Sequence, residues 1–138
     1  MVKRILLVED NEIHRLLTEE FLTYQGYKVF GLPDGVEFFA AIAAFSPDLI
    51  LLDLNLPNIS GFELLEQFSQ SAWASIPVIV VSAYAFEREQ QKARELGVSH
   101  YLTKPMSLKM LANTIEAELF QSVAYLSSRQ TSCRVLLG

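Results

Sequence analysis

Three stretches of the chain are continuously aliphatic: Ile5-Leu6-Leu7-Val8, Leu49-Ile50-Leu51-Leu52 and Val78-Ile79-Val80-Val81. A strand with one face in water alternates apolar and polar residues, so unbroken runs of this kind predict strands buried on both faces. Two weaker strands fit Tyr27 to Gly31 and Val98 to Thr103, where β-branched and aromatic residues follow a glycine, Gly26 or Gly97, suited to ending a helix. Between the strands the apolar spacing becomes helical. Ile13, Leu16, Leu17, Phe21 and Tyr24 form the stripe of a first helix, with Asn11 as its N-cap and Gly26 as its stop. Asp34 precedes a second, with Val36, Phe39, Ala40 and Ala43 as its stripe and an end before Pro47. Gly61 precedes a third carrying Phe62, Leu65 and Phe68. A fourth, Phe86 to Leu96, is mostly polar and has a thin apolar face. Ser107 caps a fifth that turns Leu108, Leu111, Ile115 and Leu119 inward.

Strand and helix therefore alternate five times. This order predicts the α/β class: a three-layer, doubly wound parallel sheet with helices on both faces and right-handed crossovers. Residues 1–121 account for the domain, and residues 122–138 form a polar tail that extends the last helix or frays. A length of 138 residues suits one core. With 51% hydrophobic and 20% charged residues the chain is not of the disordered kind.

Charge narrows the partners. Eleven basic residues against sixteen acidic ones, with no basic stripe, argue against nucleic acid as the main ligand. The longest apolar stretch, Ile76 to Phe86, is broken by Pro77 and Ser82 and is shorter than the roughly 18 residues of a membrane span. The apolar run after Lys3-Arg4 is too short for a signal peptide. A single cysteine, Cys133, rules out a disulfide framework and a thiolate metal site, and fits a cytoplasmic location.

In open α/β sheets the ligand site lies beyond the carboxyl ends of the strands, where strand order reverses. The first strand ends in Glu9-Asp10, the third in Asp53 and the fourth in Ser82, and the fifth runs to Lys104-Pro105. Taken singly, each has an ordinary reading: an acidic pair at a helix start, a strand-end carboxylate, a turn serine, a loop lysine. Taken together, three carboxylates in one crevice need a cation. Oxygen ligands without His or Cys point to a hard metal, Mg²⁺, which commonly shares a phosphate oxygen. Lys104 and Ser82 then supply the charge and the hydrogen bond that phosphoryl transfer requires, with Asp53 as nucleophile.

These residues resemble the receiver domain of two-component response regulators, over nearly the whole chain from Lys3 to about Gln121. The acidic pair matches Glu9-Asp10, and the phosphoacceptor segment matches Asp53-Leu54-Asn55-Leu56-Pro57 with Gly61 beyond. The hydroxyl and small residue match Ser82-Ala83, the switch aromatic Tyr101, and the lysine with its proline Lys104-Pro105. The resemblance implies a flavodoxin-like (βα)5 fold with strand order 2-1-3-4-5. It implies a phosphoryl group taken onto Asp53 from a sensor histidine kinase or phosphotransfer protein. It also implies Mg²⁺ on Glu9, Asp10, Asp53 and the backbone carbonyl of Asn55, with the longer Glu9 reaching the ion through water, and a cis bond before Pro105. The implied switch moves Ser82 toward the phosphoryl group and turns Tyr101 from solvent into the vacated space. It alters the surface of the fourth helix, fifth strand and fifth helix, which would serve a protein target or a dimer contact. Asn55 and Tyr84, each two residues beyond a site residue, are expected to flank the water that hydrolyses the acyl phosphate.

Rival readings are a pseudo-receiver that binds without phosphate and an aspartyl phosphatase. The set Asp10, Asp53, Ser82 and Lys104 argues against the first. Asn55 argues against the second, because it stands where such enzymes carry an acidic proton donor and an amide does not do that work. His14 and His100 have no second ligand at metal spacing; His14 reads as a surface residue of the first helix, and Trp73 as a loop or rim aromatic with no assigned role.

Overall fold

The computed structural model describes residues 1–84 and 86–132, with side chains described through residue 120. In chain order the elements are β1 (Arg4–Val8), α1 (Glu12–Tyr24), β2 (Lys28–Leu32), α2 (Phe38–Phe45) and β3 (Leu49–Asp53). They continue with α3 (Gly61–Ser69), β4 (Val78–Ser82), α4 (Glu87–Glu95), β5 (His100–Thr103) and α5 (Leu108–Ser132). All strand pairs are parallel, and the spatial order is β2-β1-β3-β4-β5. The chain thus builds outward from β1 to β2, returns across β1 to β3, and then builds the other way. The reversal falls between β1 and β3, and there the crossovers leave a crevice beyond the strand ends.

Successive side chains of a strand point to opposite faces, and here both faces are covered. Leu6, Val8, Ile50, Leu52 and Val80 meet Phe38, Ile42, Leu64, Leu65, Phe68 and Ala93 from α2, α3 and α4. Ile5, Leu7, Leu49, Leu51, Ile79 and Val81 meet Leu22, Leu111 and Ile115 from α1 and α5. The aliphatic runs are continuous because β3 and β4 are buried at every residue, and β1 at every residue after Arg4.

The apolar faces of two helices differ from the expected stripes. In α1 only Leu22 is buried and Phe21 is half-buried, whereas Ile13, Leu16, Leu17 and Tyr24 are exposed. Two polar side chains of α1, Arg15 and Glu19, reach over Gly31 of β2. A Cβ there would collide with the Glu19 carboxylate and lie 3.2 Å from Arg15 Cδ, so these two side chains fill the space a larger β2 residue would occupy. The helix consequently lays a mixed polar face over the sheet edge. In α2 the buried residues are Phe38, Ala41 and Ile42, with Phe39 half-buried and Val36, Ala40 and Ala43 exposed. The helix begins at Phe38, later than Asp34 suggests, because the Asp34 carboxylate accepts the Val36 N–H at 3.0 Å and closes a turn first. The remaining helices follow the expected faces, and α4 buries Ala93 alone.

Helix ends follow their local chemistry. Asn11 Oδ1 accepts the His14 N–H at 2.9 Å and caps α1, and Gly26 just past that helix has φ +104. Ser107 Oγ accepts the Met110 N–H at 3.0 Å at the start of α5. β2 and β5 are each shifted or shortened against expectation, so that Tyr27 and Val98 precede them. The expected tail begins within α5, and Cys133 and residues 134–138 lie outside the described residues.

Ser60 and Glu63 form a reciprocal capping box at α3, with bonds of 3.1 and 3.2 Å. Behind it, buried Gly61 packs where a Cβ would meet the Leu54 backbone and stand 2.9 Å from the Asp53 carbonyl oxygen. Gly61→Ala is therefore expected to cost about 1–3 kcal/mol, the usual scale of overpacking. Urea denaturation reads this as a lower midpoint, and an unchanged midpoint would mean that the loop after β3 yields freely.

Candidate functional site at the carboxyl ends of the strands

β1 and β3 are adjacent, so their ends bring Glu9 and Asp10 beside Asp53 although more than forty residues separate them. One carboxylate oxygen from each of the three lies within 4.8 Å of the others. Glu9 and Asp53 are buried, and Asp10 is exposed. Glu9 is fixed at three points. Its N–H donates to the Leu32 carbonyl at 3.0 Å, its carbonyl accepts from Arg15 Nη1 at 2.9 Å, and its Oε2 accepts the Asn11 N–H at 3.1 Å. Asp53 Oδ1 accepts the Asn55 N–H at 2.8 Å, a tight turn that anchors the loop after β3.

Lys104 closes the cluster. Its Nζ donates to Glu9 Oε1 at 3.0 Å and to Asp53 Oδ2 at 3.1 Å. Its backbone N–H donates to the Ser82 carbonyl at 2.8 Å, which continues the β4–β5 ladder, and the Lys104–Pro105 bond is cis. Burial is the largest influence on Asp53 and raises its pKa, with Glu9 adding to the rise. The Asn55 N–H and the Lys104 charge pull the other way without overcoming burial. For Lys104, burial disfavours the ammonium, but the Glu9 hydrogen bond and the Asp53 charge outweigh it and its pKa is raised. The lysine stays charged, and Asp53 is a carboxylate held at some cost.

Ser82, fully buried, sits one residue past the Asp53–Val81 pairing, and its Oγ accepts the Tyr84 N–H at 3.0 Å. The Tyr84 phenol leans back to donate to Asn55 Oδ1 at 3.4 Å. Tyr101 is half-buried, and its hydroxyl donates to the Tyr84 carbonyl at 2.9 Å. Burial, then the charge of Glu89, raises the Tyr101 pKa, with the Ser82 side chain opposing, so the phenol remains a neutral donor. A cleft of about 570 Å³ is lined by Glu9, Asp53 and Lys104 together with His14 and Leu17 of α1 and Leu111 of α5.

Glu9, Asp10, Asp53 and Lys104 therefore meet directly, and Ser82, Asn55, Tyr84 and Tyr101 form a second group joined to Asp53 through Asn55. Sequence reasoning missed Arg15, which braces the Glu9 backbone. The one available signal was a cation one turn into the helix that follows the acidic pair Glu9-Asp10. Three hard oxygen donors with no soft ligand in the cluster fit Mg²⁺.

For a carboxyl group whose pKa is higher folded than unfolded, stability is greatest below the unfolded value and is lost as pH rises through the folded value. Asp53 is such a group. Asp53→Asn is expected to raise the melting temperature at pH 7 by roughly 3 °C. The gain should vanish near pH 4 and narrow when Mg²⁺ stabilises the wild type. Thermal scans across pH check this, and a variant less stable at pH 7 would show that pairing with Lys104 outweighs burial.

Residues 5–116 match the response regulator receiver domain family. The polar-differentiation response regulator DivK of Brucella ovis is 32% identical over 120 residues, covering 86% of this chain and 98% of that protein. A CheY-like receiver domain protein from Methanospirillum hungatei superposes with a TM-score of 0.82 at 29% identity, covering 88% of this chain and 96% of that one. The BeF3-activated receiver domain of Klebsiella pneumoniae RstA does so at 0.79 and 26% identity, covering 86% and 100%. With the same sheet order, an acidic end and a family match over most of its length, this chain belongs to the response regulator receiver domain family.

Proposed function

We propose that this receiver domain takes a phosphoryl group onto Asp53 from a phosphohistidine of a sensor kinase or phosphotransfer protein. Receiver domains as a family act as phosphoacceptors, bind Mg²⁺ in an acidic pocket and work with such donors. The observation that carries the finer reading is the Lys104 ammonium on Asp53 Oδ2 at 3.1 Å, beside two further carboxylates. A carboxylate oxygen of Asp53 forms the new P–O bond as the P–N bond of the donor breaks and its electron pair returns to the imidazole. Glu9, Asp10, Asp53 and the Asn55 carbonyl would hold Mg²⁺, which when bound offsets the negative charge of carboxylates and phosphoryl oxygens. Lys104 neutralises one phosphoryl oxygen and the Ser82 hydroxyl donates to another.

The donor must reach Asp53 over the open end of the sheet. Exposed Ile13 and Leu16 on α1 stand at that end and suit an apolar partner surface. Output through α4, β5 and α5 is supported by the thin burial of α4, since an element with few apolar contacts rearranges at low cost. A downstream protein or a second copy would bind there. A cytoplasmic site of action accords with this chemistry, and no helix among the described residues is long and apolar enough to cross a membrane.

Incubation with acetyl phosphate and Mg²⁺ should add one phosphoryl group to the wild type and none to Asp53→Asn, as read by intact mass. No adduct on the wild type would leave the pseudo-receiver reading in its place. Once formed, the acyl phosphate is exposed to water past Asn55 and Tyr84, and the Tyr84 ring screens that route. Tyr84→Ala should shorten the phosphate lifetime several-fold, and an equal or longer lifetime refutes the screening role.

A further inference from the structure

We propose that Arg15 is a positioning residue for the acidic pair, holding Glu9 and Asp10 in the orientation that takes a divalent cation, a role that rests on the Mg²⁺ reading of the pocket above. The chain leaves the sheet at Glu9. Its N–H still bonds to β2, at the Leu32 carbonyl 3.0 Å away, and two residues later Asn11 caps α1. The Glu9 carbonyl lies beyond the last β1–β2 pair, Val8 with Leu32, and among the described residues no backbone N–H reaches it. Arg15 Nη1 donates to it instead, at 2.9 Å. The peptide plane fixed in this way joins Glu9 to Asp10. Asp10 is exposed, so its carboxylate is aimed chiefly through its backbone.

The sheet edge prepares this reach. Arg15 stands one turn into α1, and its half-buried stem crosses β2 at Gly31, where a Cβ would come within 3.2 Å of Arg15 Cδ. Glu19, one turn further on, occupies the rest of that space. The planar guanidinium therefore arrives at the Glu9 carbonyl with little freedom left to lose. Groups that orient metal ligands without touching the metal are commonly worth ten- to a hundredfold in metal affinity. The charge of Arg15 acts in the opposite direction, because a cation beside three clustered carboxylates competes with the cation they would bind. Orientation and charge thus predict changes of opposite sign when Arg15 is removed, and one measurement separates them.

Arg15→Met keeps an apolar stem over Gly31 and removes both donor and charge. Titration calorimetry of the full chain with Mg²⁺ alone reads the affinity, and the melting temperature without metal is recorded beside it. Arg15→Met should bind Mg²⁺ about tenfold more weakly than the wild type. Arg15→Lys, which restores a cationic donor on a similar stem, should recover most of that loss. Equal or tighter binding by Arg15→Met overturns the proposal, the tighter case showing that charge alone acts. A lower melting temperature with unchanged affinity also overturns it, because Arg15 would then support the fold and not the pair. So does Arg15→Lys binding as weakly as Arg15→Met, since a donor at that place would not be what holds the carbonyl. A wild type that binds no Mg²⁺ is a different failure: it removes the metal reading of the pocket, and the role of Arg15 with it.

Discussion

The ammonium of Lys104 between Glu9 and Asp53 is the contact on which the rest of this site depends. Two buried carboxylates this close repel each other, and burial, with the Glu9 charge adding to it, raises the Asp53 pKa. One cation reaching both, at 3.0 and 3.1 Å, allows the cluster to exist in the folded chain before any metal arrives. The same contact ties β5 to β1 and β3, which are not its neighbours in the sheet. Any new charge at Asp53 therefore acts on a lysine rooted in β5, the strand that carries Tyr101.

The sheet makes this convergence inexpensive. Parallel strands place all their carboxyl ends on one edge, and the order β2-β1-β3-β4-β5 sets the two acidic ends side by side. Backbone bonds then do the fine positioning: Lys104 to the Ser82 carbonyl, Glu9 to the Leu32 carbonyl, Asn55 to Asp53. The buried faces are almost wholly aliphatic, so polar demands are concentrated at the edge where function lies. Among the described residues, the buried polar ones are Glu9, Asp53 and Ser82.

Legibility in the sequence followed the strength of the local signal. β1, β3 and β4 were plain, because only burial on both faces accounts for runs such as Leu49 to Leu52. The cap at Asn11 and the stop at Gly26 were plain for the same local reason. The inward faces of α1 and α2 were not. Helical spacing reveals an apolar stripe but not which arc meets the sheet, and in α1 the side chains of Arg15 and Glu19 lie over Gly31 of β2, a strand the helix spacing does not mention. Arg15 escaped notice because its partner is a backbone carbonyl, which no residue pattern announces. The Asn55–Tyr84–Tyr101 chain was legible only as three separate residues, since its links span 29 and 17 positions.

By itself the sequence determined the strands, their alternation with helices and the kind of chemistry at the strand ends, because burial and charge are properties of residue types in local order. Only the tertiary structure decided the contacts. It set Lys104 on both carboxylates, turned Ile13 and Leu16 of α1 outward, and docked the Tyr101 hydroxyl on the Tyr84 carbonyl. These outcomes depend on distances between segments far apart along the chain, which are fixed by how the sheet and its two helical layers fill space together.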